Sequence, residues 1–455
     1  MTPALALTAA IAMALVIFRA WTQAITIDEA STYVFFVQDI SPLHWLGSTN
    51  NHVLNSALMR LSTLLFGVSE ISVRLPALLG AGLYISACYR FCRRLEGELL
   101  LQWTALVCLV YSPFILDYLV AARGYSLALG FLMTALVADA KTLQGCVVIS
   151  TAIGLCFASN FSFAFACAAA MGARFIGSWR ESGIPRGKLI AAYVLPPLVL
   201  TWLLVAPALL NFPRAELWYG SHSLLDAFAS LLEPQLSHRS VWLYLIPGLI
   251  SLAWLVQSRK SLPATTRLFG GVFLATALLH LAGFHLLGLL YPLDRTGIFF
   301  VPLLFGALAS AGTIPGGWLR RAQIGALLFA AALNLASLRL DHFEEWQFDA
   351  DTNKIYSVLR CLHERQQVDI VAADWPYIAS LNFYRKTSQK ETLRVVADDK
   401  SNPPAAEAFV LGWGLTPAAL PPRHLTAVWT SPKTGAMIAV PAEQAARFQG
   451  SACFE

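Results

Sequence analysis

Charge is what this chain has least of. Only 13% of its 455 residues are Asp, Glu, Lys or Arg, while 57% are hydrophobic and mean hydropathy is +0.59. A soluble domain carries about twice that charged share, so the shortage excludes a soluble enzyme. The net +5 does not point to nucleic acid either, because the excess of positive charge sits in short loops between apolar runs. Cysteine is scarce and lacks zinc-ligand spacing. Cys88, Cys92, Cys108, Cys146, Cys156 and Cys167 fall in apolar runs, where Cys acts as a small hydrophobe, which leaves Cys361 and Cys453. No internal repeat and no low-complexity tract is present. The first apolar run, 4–18, has no basic stretch before it and no small-x-small cleavage site after it, so it is expected to be a retained span and not a signal peptide.

What is there is hydrocarbon-compatible sequence. About eleven stretches meet the rule of roughly 20 mostly apolar residues per crossing, near 4–20, 72–90, 99–115, 123–140, 144–159, 161–176, 189–210, 240–257, 268–290, 296–312 and 322–340. Arg90, Arg93, Arg94, Lys141, Arg174, Arg180, Arg186, Lys188, Arg259, Lys260, Arg267, Arg320 and Arg321 all fall on one side if the N-terminus is cytoplasmic. The positive-inside rule then predicts an N-in, C-out topology. The outer side receives the loops 22–71, 112–123, 211–239 and 291–295 and everything after Leu340.

The chain divides into a membrane part, 1–340, and a tail, 341–455. In loop 22–71 the apolar clusters at 29–38, 42–46 and 56–66 suggest helices lying in the interfacial plane, joined by a polar elbow at Asn50–Asn55. The tail alternates helix (353–366, 376–386) with strand (368–373, 392–397, 408–412, 424–430, 436–440), which predicts a small α/β domain. Cys361 and Cys453 would lie in an oxidising setting there, where thiols pair, and their disulfide would stabilise by about 4 kcal/mol in the chain-entropy model.

The polar residues that this topology gathers at one face are Asp28, Glu29, Asn50, Asn51, His52, Asp117, Arg123, Tyr125, Asp294 and Arg295. Each alone has a plain structural reading. Asp28 and Glu29 favour a helix start, Arg123 snorkels from a helix end, His52 caps a helix, and Asp294 pairs with Arg295. As a set, carboxylates from one loop and arginines from two others suit a hydroxyl nucleophile and a phosphate leaving group. A carboxylate accepts the proton of the attacking hydroxyl, and guanidinium forks hold the departing phosphate.

Asp28-Glu29-Ala30, Asn50-Asn51-His52-Val53-Leu54-Asn55, Ala122-Arg123-Gly124-Tyr125-Ser126-Leu127, and Trp346-x-x-Asp349-Ala350-Asp351-Thr352 with Phe383-Tyr384-Arg385 carry a resemblance. The chain resembles bacterial GT-C membrane glycosyltransferases of the protein-mannosyltransferase-like group (glycosyltransferase family 39-like), related to the aminoarabinose transferases of lipid A modification. The resemblance implies a polyprenyl-phosphate sugar as donor, a glycan, lipid or protein as acceptor, and an extracytoplasmic active site in the bacterial inner membrane. By that likeness Asp28 is the catalytic base. The first-loop Lys of the aminoarabinose enzymes has no counterpart; Asn51-His52 stands there.

The expectation is therefore a polytopic α-helical membrane protein with a GT-C-like catalytic part and a small extracytoplasmic α/β domain. Asp28 acts on the acceptor hydroxyl, and Glu29 either positions the loop or holds a divalent metal with Asp28. Asn51, His52, Arg123, Tyr125 and Arg295 bind the donor, with Asn50, Asp117 and Asp294 as further candidates. The rival, a transporter or flippase of lipid-linked sugars, would show two similar halves with broken spans. The sequence has no such halves.

Overall fold

The protein is described by a computed structural model, which covers residues 3–38, 48, 50–210, 219–236, 245–388, 392–398, 405–412, 415, 417–448 and 450–454. The expected interfacial helix at 42–46 lies outside the described residues, as do Arg214, Glu216, Trp218, His238 and Arg239 of the loop 211–239. In chain order the α-helices are α1 (Pro3–Thr22), α2 (Ile27–Thr32), α3 (Val53–Phe66), α4 (Glu70–Arg94), α5 (Leu99–Val110), α6 (Pro113–Val120), α7 (Tyr125–Val137), α8 (Leu143–Ser159) and α9 (Ala164–Glu181). There follow α10 (Arg186–Leu200), α11 (Ala206–Leu210), α12 (Leu224–Leu236), α13 (Leu245–Ser258), α14 (Ala264–Leu287), α15 (Phe300–Ala311), α16 (Trp318–Ala336), α17 (Thr352–Glu364) and α18 (Trp375–Thr387).

Among the described residues, five helices are long and apolar enough to cross a membrane: Pro3–Thr22, Glu70–Arg94, Phe161–Glu181, Arg186–Ala208 and Ala264–Leu287. The pair α5 and α6, bent by 55°, makes a sixth if it is one span. The remaining stretches expected as spans also form helices, but most are shorter. At 1.5 Å per residue, a helix such as α7 or α15 reaches about 20 Å, short of the roughly 30 Å hydrocarbon layer. Nearly all of α7 is buried, so its apolar residues face protein. The break between α5 and α6 follows from Pro113, which cannot donate to the preceding turn, with Ser112 capping the new helix through Ile115 N–H at 3.3 Å.

The chain forms two compact units. The first comprises Met1–Phe18, Ser41–Leu58 and Arg74–Arg339. In it α4 and α7 approach through small residues. A Cβ on Gly80 would lie 2.4 Å from Leu127 N, and Ser126 Oγ donates to Ala77 O at 2.6 Å. That close contact fixes the start of α7, where Arg123 and Tyr125 stand.

The second unit comprises Arg19–Ile40, Met59–Val73 and Leu340–Glu455. Its sheet runs β2 (Arg394–Ala397), β1 (Ile370–Ala373), β3 (Ala408–Leu411), β5 (Met437–Pro441), β4 (Leu425–Thr430). β1 is parallel to β2 and β3, whereas β5 is antiparallel to β3 and β4. Ala372, Phe409, Leu411, Leu425, Met437 and Ala439 form its core. α17 buries Ile355, Val358, Leu359 and Leu362 at helical spacing. Residues 19–33 belong to this unit by specific bonds. Arg19 donates to His342 O at 3.1 Å and stacks 5.3 Å from the Phe343 ring, Gln23 donates to Leu340 O at 3.2 Å, and Tyr33 meets Phe383 edge-on at 5.7 Å.

Cys361 on α17 and Cys453 form a disulfide with their Cα atoms 5.6 Å apart, closing a separation of 92 residues. Closing a loop of that length is worth about 4 kcal/mol through the unfolded state. Denatured, non-reduced protein should therefore leave both thiols unlabelled by maleimide until reductant is added. Free labelling before reduction would show that the bond does not form in cells.

Candidate functional site

In the second unit the acidic pair has two different fates. α2 starts with a capping box: Thr26 Oγ1 accepts from Glu29 N–H at 3.2 Å, and Glu29 Oε2 accepts from Thr26 N–H at 3.0 Å. Glu29 is fully buried, and its carboxylate is engaged in holding the turn. Asp28 is the partly exposed member of the pair, with its Oδ2 buried. Its own carbonyl accepts from Thr32 Oγ1 at 2.8 Å.

Two residues not anticipated as site residues grip the same turn. Asp349 Oδ2 accepts from Ile27 N–H at 2.7 Å, and Tyr384 Oη accepts from Ile25 N–H at 2.9 Å while donating to the Glu70 carboxylate. Asp349 is 1% exposed. Burial pushes its carboxyl well above the usual range; the donors Ile27 N–H, Thr352 and Ser380 pull it back, and the charge of Asp28 adds to the rise. Among the described residues no group of three His, Cys, Asp or Glu side chains is arranged to hold a metal ion.

The first unit brings together the polar elbow and the start of α7. Gly124, at φ 75°, is the left-handed N-cap of α7. A Cβ there would lie 2.2 Å from Ser159 O and 2.9 Å from His52 Cβ, so only glycine lets the elbow lie against this turn. Asn55 Nδ2 donates to Ala122 O at 3.1 Å, and Ser56 Oγ donates to Asn51 Oδ1 at 2.9 Å. Arg123, 3% exposed, donates from Nη2 to Oδ1 of the exposed Asn50 at 3.1 Å. His52 packs 5.5 Å from the Tyr125 ring, which meets Tyr118 at 4.9 Å. His52 Nε2 is buried without a hydrogen-bond partner among the described residues.

The turn before α15 completes this cluster electrostatically. Asp294, at φ 46°, holds a conformation that L-residues rarely adopt. Its N–H donates to Ser230 Oγ at 2.9 Å and its carboxylate accepts from Tyr219 Oη at 3.0 Å. The Arg295 guanidinium sits 5.2 Å over the Tyr219 ring. The proximity of Arg295 is felt at His52: burial first, then the charges of Arg123 and Arg295, hold the imidazole well below its ordinary 6.5. Burial beside two cations thus favours the neutral imidazole, which can donate or accept a hydrogen bond. Asp117 on α6 is 3.9 Å from Arg339 in an ion pair, a different partner from those of the elbow.

Of the residues singled out from sequence, the structure brings together Asn50, Asn51, His52, Arg123, Tyr125 and Arg295, with Asp294 beside Arg295. Asp28 and Glu29 belong to the second unit, with Asp349 and Tyr384.

The depressed imidazole gives a stability prediction. Unfolded His52 takes up a proton near 6.5 and the folded state does not, so the unfolded chain binds more protons below that pH. Stability is full above pH 6.5 and is lost as pH falls toward the folded value, by at most about 1.4 kcal/mol per pH unit from this group. The thermal midpoint of His52→Gln in detergent should fall less steeply between pH 7 and 5 than the parent's. Identical slopes would remove His52 as the cause.

Helices long and apolar enough to cross a membrane and a small C-terminal α/β domain together define a polytopic membrane protein. The chain is similar in structure to ArnT from Cupriavidus metallidurans bound to undecaprenyl phosphate, with TM-score 0.55 and 13% identity over 97% of this chain and 98% of that one. Apo ArnT from the same organism gives TM-score 0.54 and 12% identity over 98% and 99% of the two chains. No protein-family model matches the chain, and no curated protein matches it significantly.

Proposed function

We propose that the chain is an integral membrane glycosyltransferase that moves a sugar from a polyprenyl-phosphate donor to an acceptor hydroxyl on the extracytoplasmic face. The observation that carries this reading is the pairing of a whole-length likeness to a protein solved with undecaprenyl phosphate with a polar elbow bonded to the buried Arg123, which suits phosphate. Arg123 and Arg295 hold the donor phosphate, Asn51 and neutral His52 bind donor oxygens, and Tyr125 backs the imidazole. Asp28 takes the proton of the acceptor hydroxyl as it attacks the anomeric carbon, and the C–O bond to phosphate breaks with its electron pair leaving on the phosphate. Attack opposite that leaving group inverts the anomeric centre. Glu29 holds the turn.

We place the protein in the bacterial inner membrane with its N-terminus in the cytoplasm and residues 341–455 outside. The disulfide between Cys361 and Cys453 supports that side for the tail, since such bonds persist in oxidising compartments. Reporter fusions after Leu340 and within 219–236 should read outside, and fusions at 180–186 and 259–265 cytoplasm. An outside signal at 180–186 would overturn this topology. The function is tested by mass spectrometry of polyprenyl lipids in a strain lacking the protein, where one polyprenyl-phosphate sugar should accumulate. An unchanged lipid profile would count against the transferase.

A further inference from the structure

The turn bearing Asp28 is short, yet its backbone is tied at nearly every step. Ile25 N–H goes to Tyr384, Thr26 N–H to Glu29, Ile27 N–H to Asp349 and Glu29 N–H to Thr26. α2 runs on into a π-helical turn at Tyr33–Val37, and the eleven residues together are still too few to hold their shape by helix propensity alone. Two of the four ties come from the C-terminal domain. They grip peptide groups one and three residues before Asp28, and so set the path of the backbone that carries its carboxylate. α18, which bears Tyr384, packs along α2.

We propose that Asp349 and Tyr384 are positioning residues that aim the Asp28 carboxylate, so that the C-terminal α/β domain acts as the brace of the catalytic turn. The proposal rests on Asp28 being the general base. A displacement of about 1 Å at a reacting group can cost roughly a hundredfold in rate, and release of the Ile27 amide permits a shift of that size. Asp349→Ala removes the acceptor; Asp349→Asn keeps an oxygen in its place.

The test uses full-length variants in cells lacking the native copy. It follows the rate at which a pulse of radiolabelled polyprenyl-phosphate sugar is consumed, together with binding of undecaprenyl phosphate to each purified protein. Asp349→Ala should slow consumption about ten- to a hundredfold with undecaprenyl phosphate affinity unchanged. Asp349→Asn should recover the parent rate to within about twofold, and Asp349→Ala placed on Asp28→Asn should add no further loss. A residue needed only for folding would instead reduce binding and rate together, and its loss would add to that of Asp28→Asn. Tyr384→Phe, which removes the acceptor for Ile25 N–H while keeping the ring, carries the same test if Asp349→Ala fails to insert. Additive losses, or a parent-like rate in Asp349→Ala beside a slow Asp28→Asn, overturn the brace alone. A parent-like rate in Asp28→Asn overturns the catalytic reading and the brace with it.

Discussion

Asp28→Asn is expected to lower the transfer rate by about 10²–10⁴-fold, the usual worth of general-base help, while leaving the protein inserted and able to bind undecaprenyl phosphate. A sugar or serine hydroxyl is a poor nucleophile at neutral pH, and its attack needs a carboxylate within hydrogen-bond reach of the proton. The amide keeps the size of the side chain but has neither the charge nor a basic oxygen. Asp28 is the partly exposed member of the pair, whereas Glu29 is buried and bonded to Thr26 N–H. Glu29→Gln keeps a carbonyl oxygen for that bond, so its loss should be much the smaller. Transfer and undecaprenyl phosphate binding measured on the same purified variants check both expectations. Full transfer by Asp28→Asn would falsify the assignment of the base, and equal losses in the two variants would point to a shared role such as metal binding.

Arg123→Lys should lower transfer by about a hundredfold with folding intact. Lysine retains the positive charge but loses the planar fork that fits two phosphate oxygens. Arg123 is buried, and its Nη2 donates to the exposed Asn50. A lysine ammonium cannot serve Asn50 and a phosphate with the same geometry. The loss should appear in undecaprenyl phosphate affinity as well as in rate, which separates it from Asp28→Asn. Arg295→Lys should lose less, because Arg295 is only partly buried and rests on Tyr219. A parent-like Arg123→Lys enzyme would leave this arginine as a buried structural cation.

Much of the fold is legible in the sequence because its signals are local. The tail helices expected at 353–366 and 376–386 are Thr352–Glu364 and Trp375–Thr387, and the expected strands agree with those observed to within two residues at their ends. Span length is less legible: hydropathy sums give crossings at 123–140 and 296–312, where α7 and α15 have 13 and 12 residues. At the site, Asn50, His52, Arg123 and Arg295 were visible as polar residues at expected outer turns. The role of Glu29 was legible too, since Thr26-x-x-Glu29 has the form of a capping box, but two adjacent acids draw the eye to chemistry first. Asp349 and Tyr384 were not visible as partners of the catalytic turn. Their bonds join residues 322 and 359 apart, and no periodicity or spacing rule reports contacts across such distances.

Those separations also set a timetable. Ile27 leaves the ribosome early, and its acceptor Asp349 is made 322 residues later. At roughly 5–20 residues per second, that interval is about 15–65 s, before the tail has folded or closed its disulfide. Throughout it the turn bearing Asp28 has no C-terminal domain to bond to. A nascent or truncated chain can therefore be inserted in the bilayer without a finished catalytic turn, and only completed chains carry one.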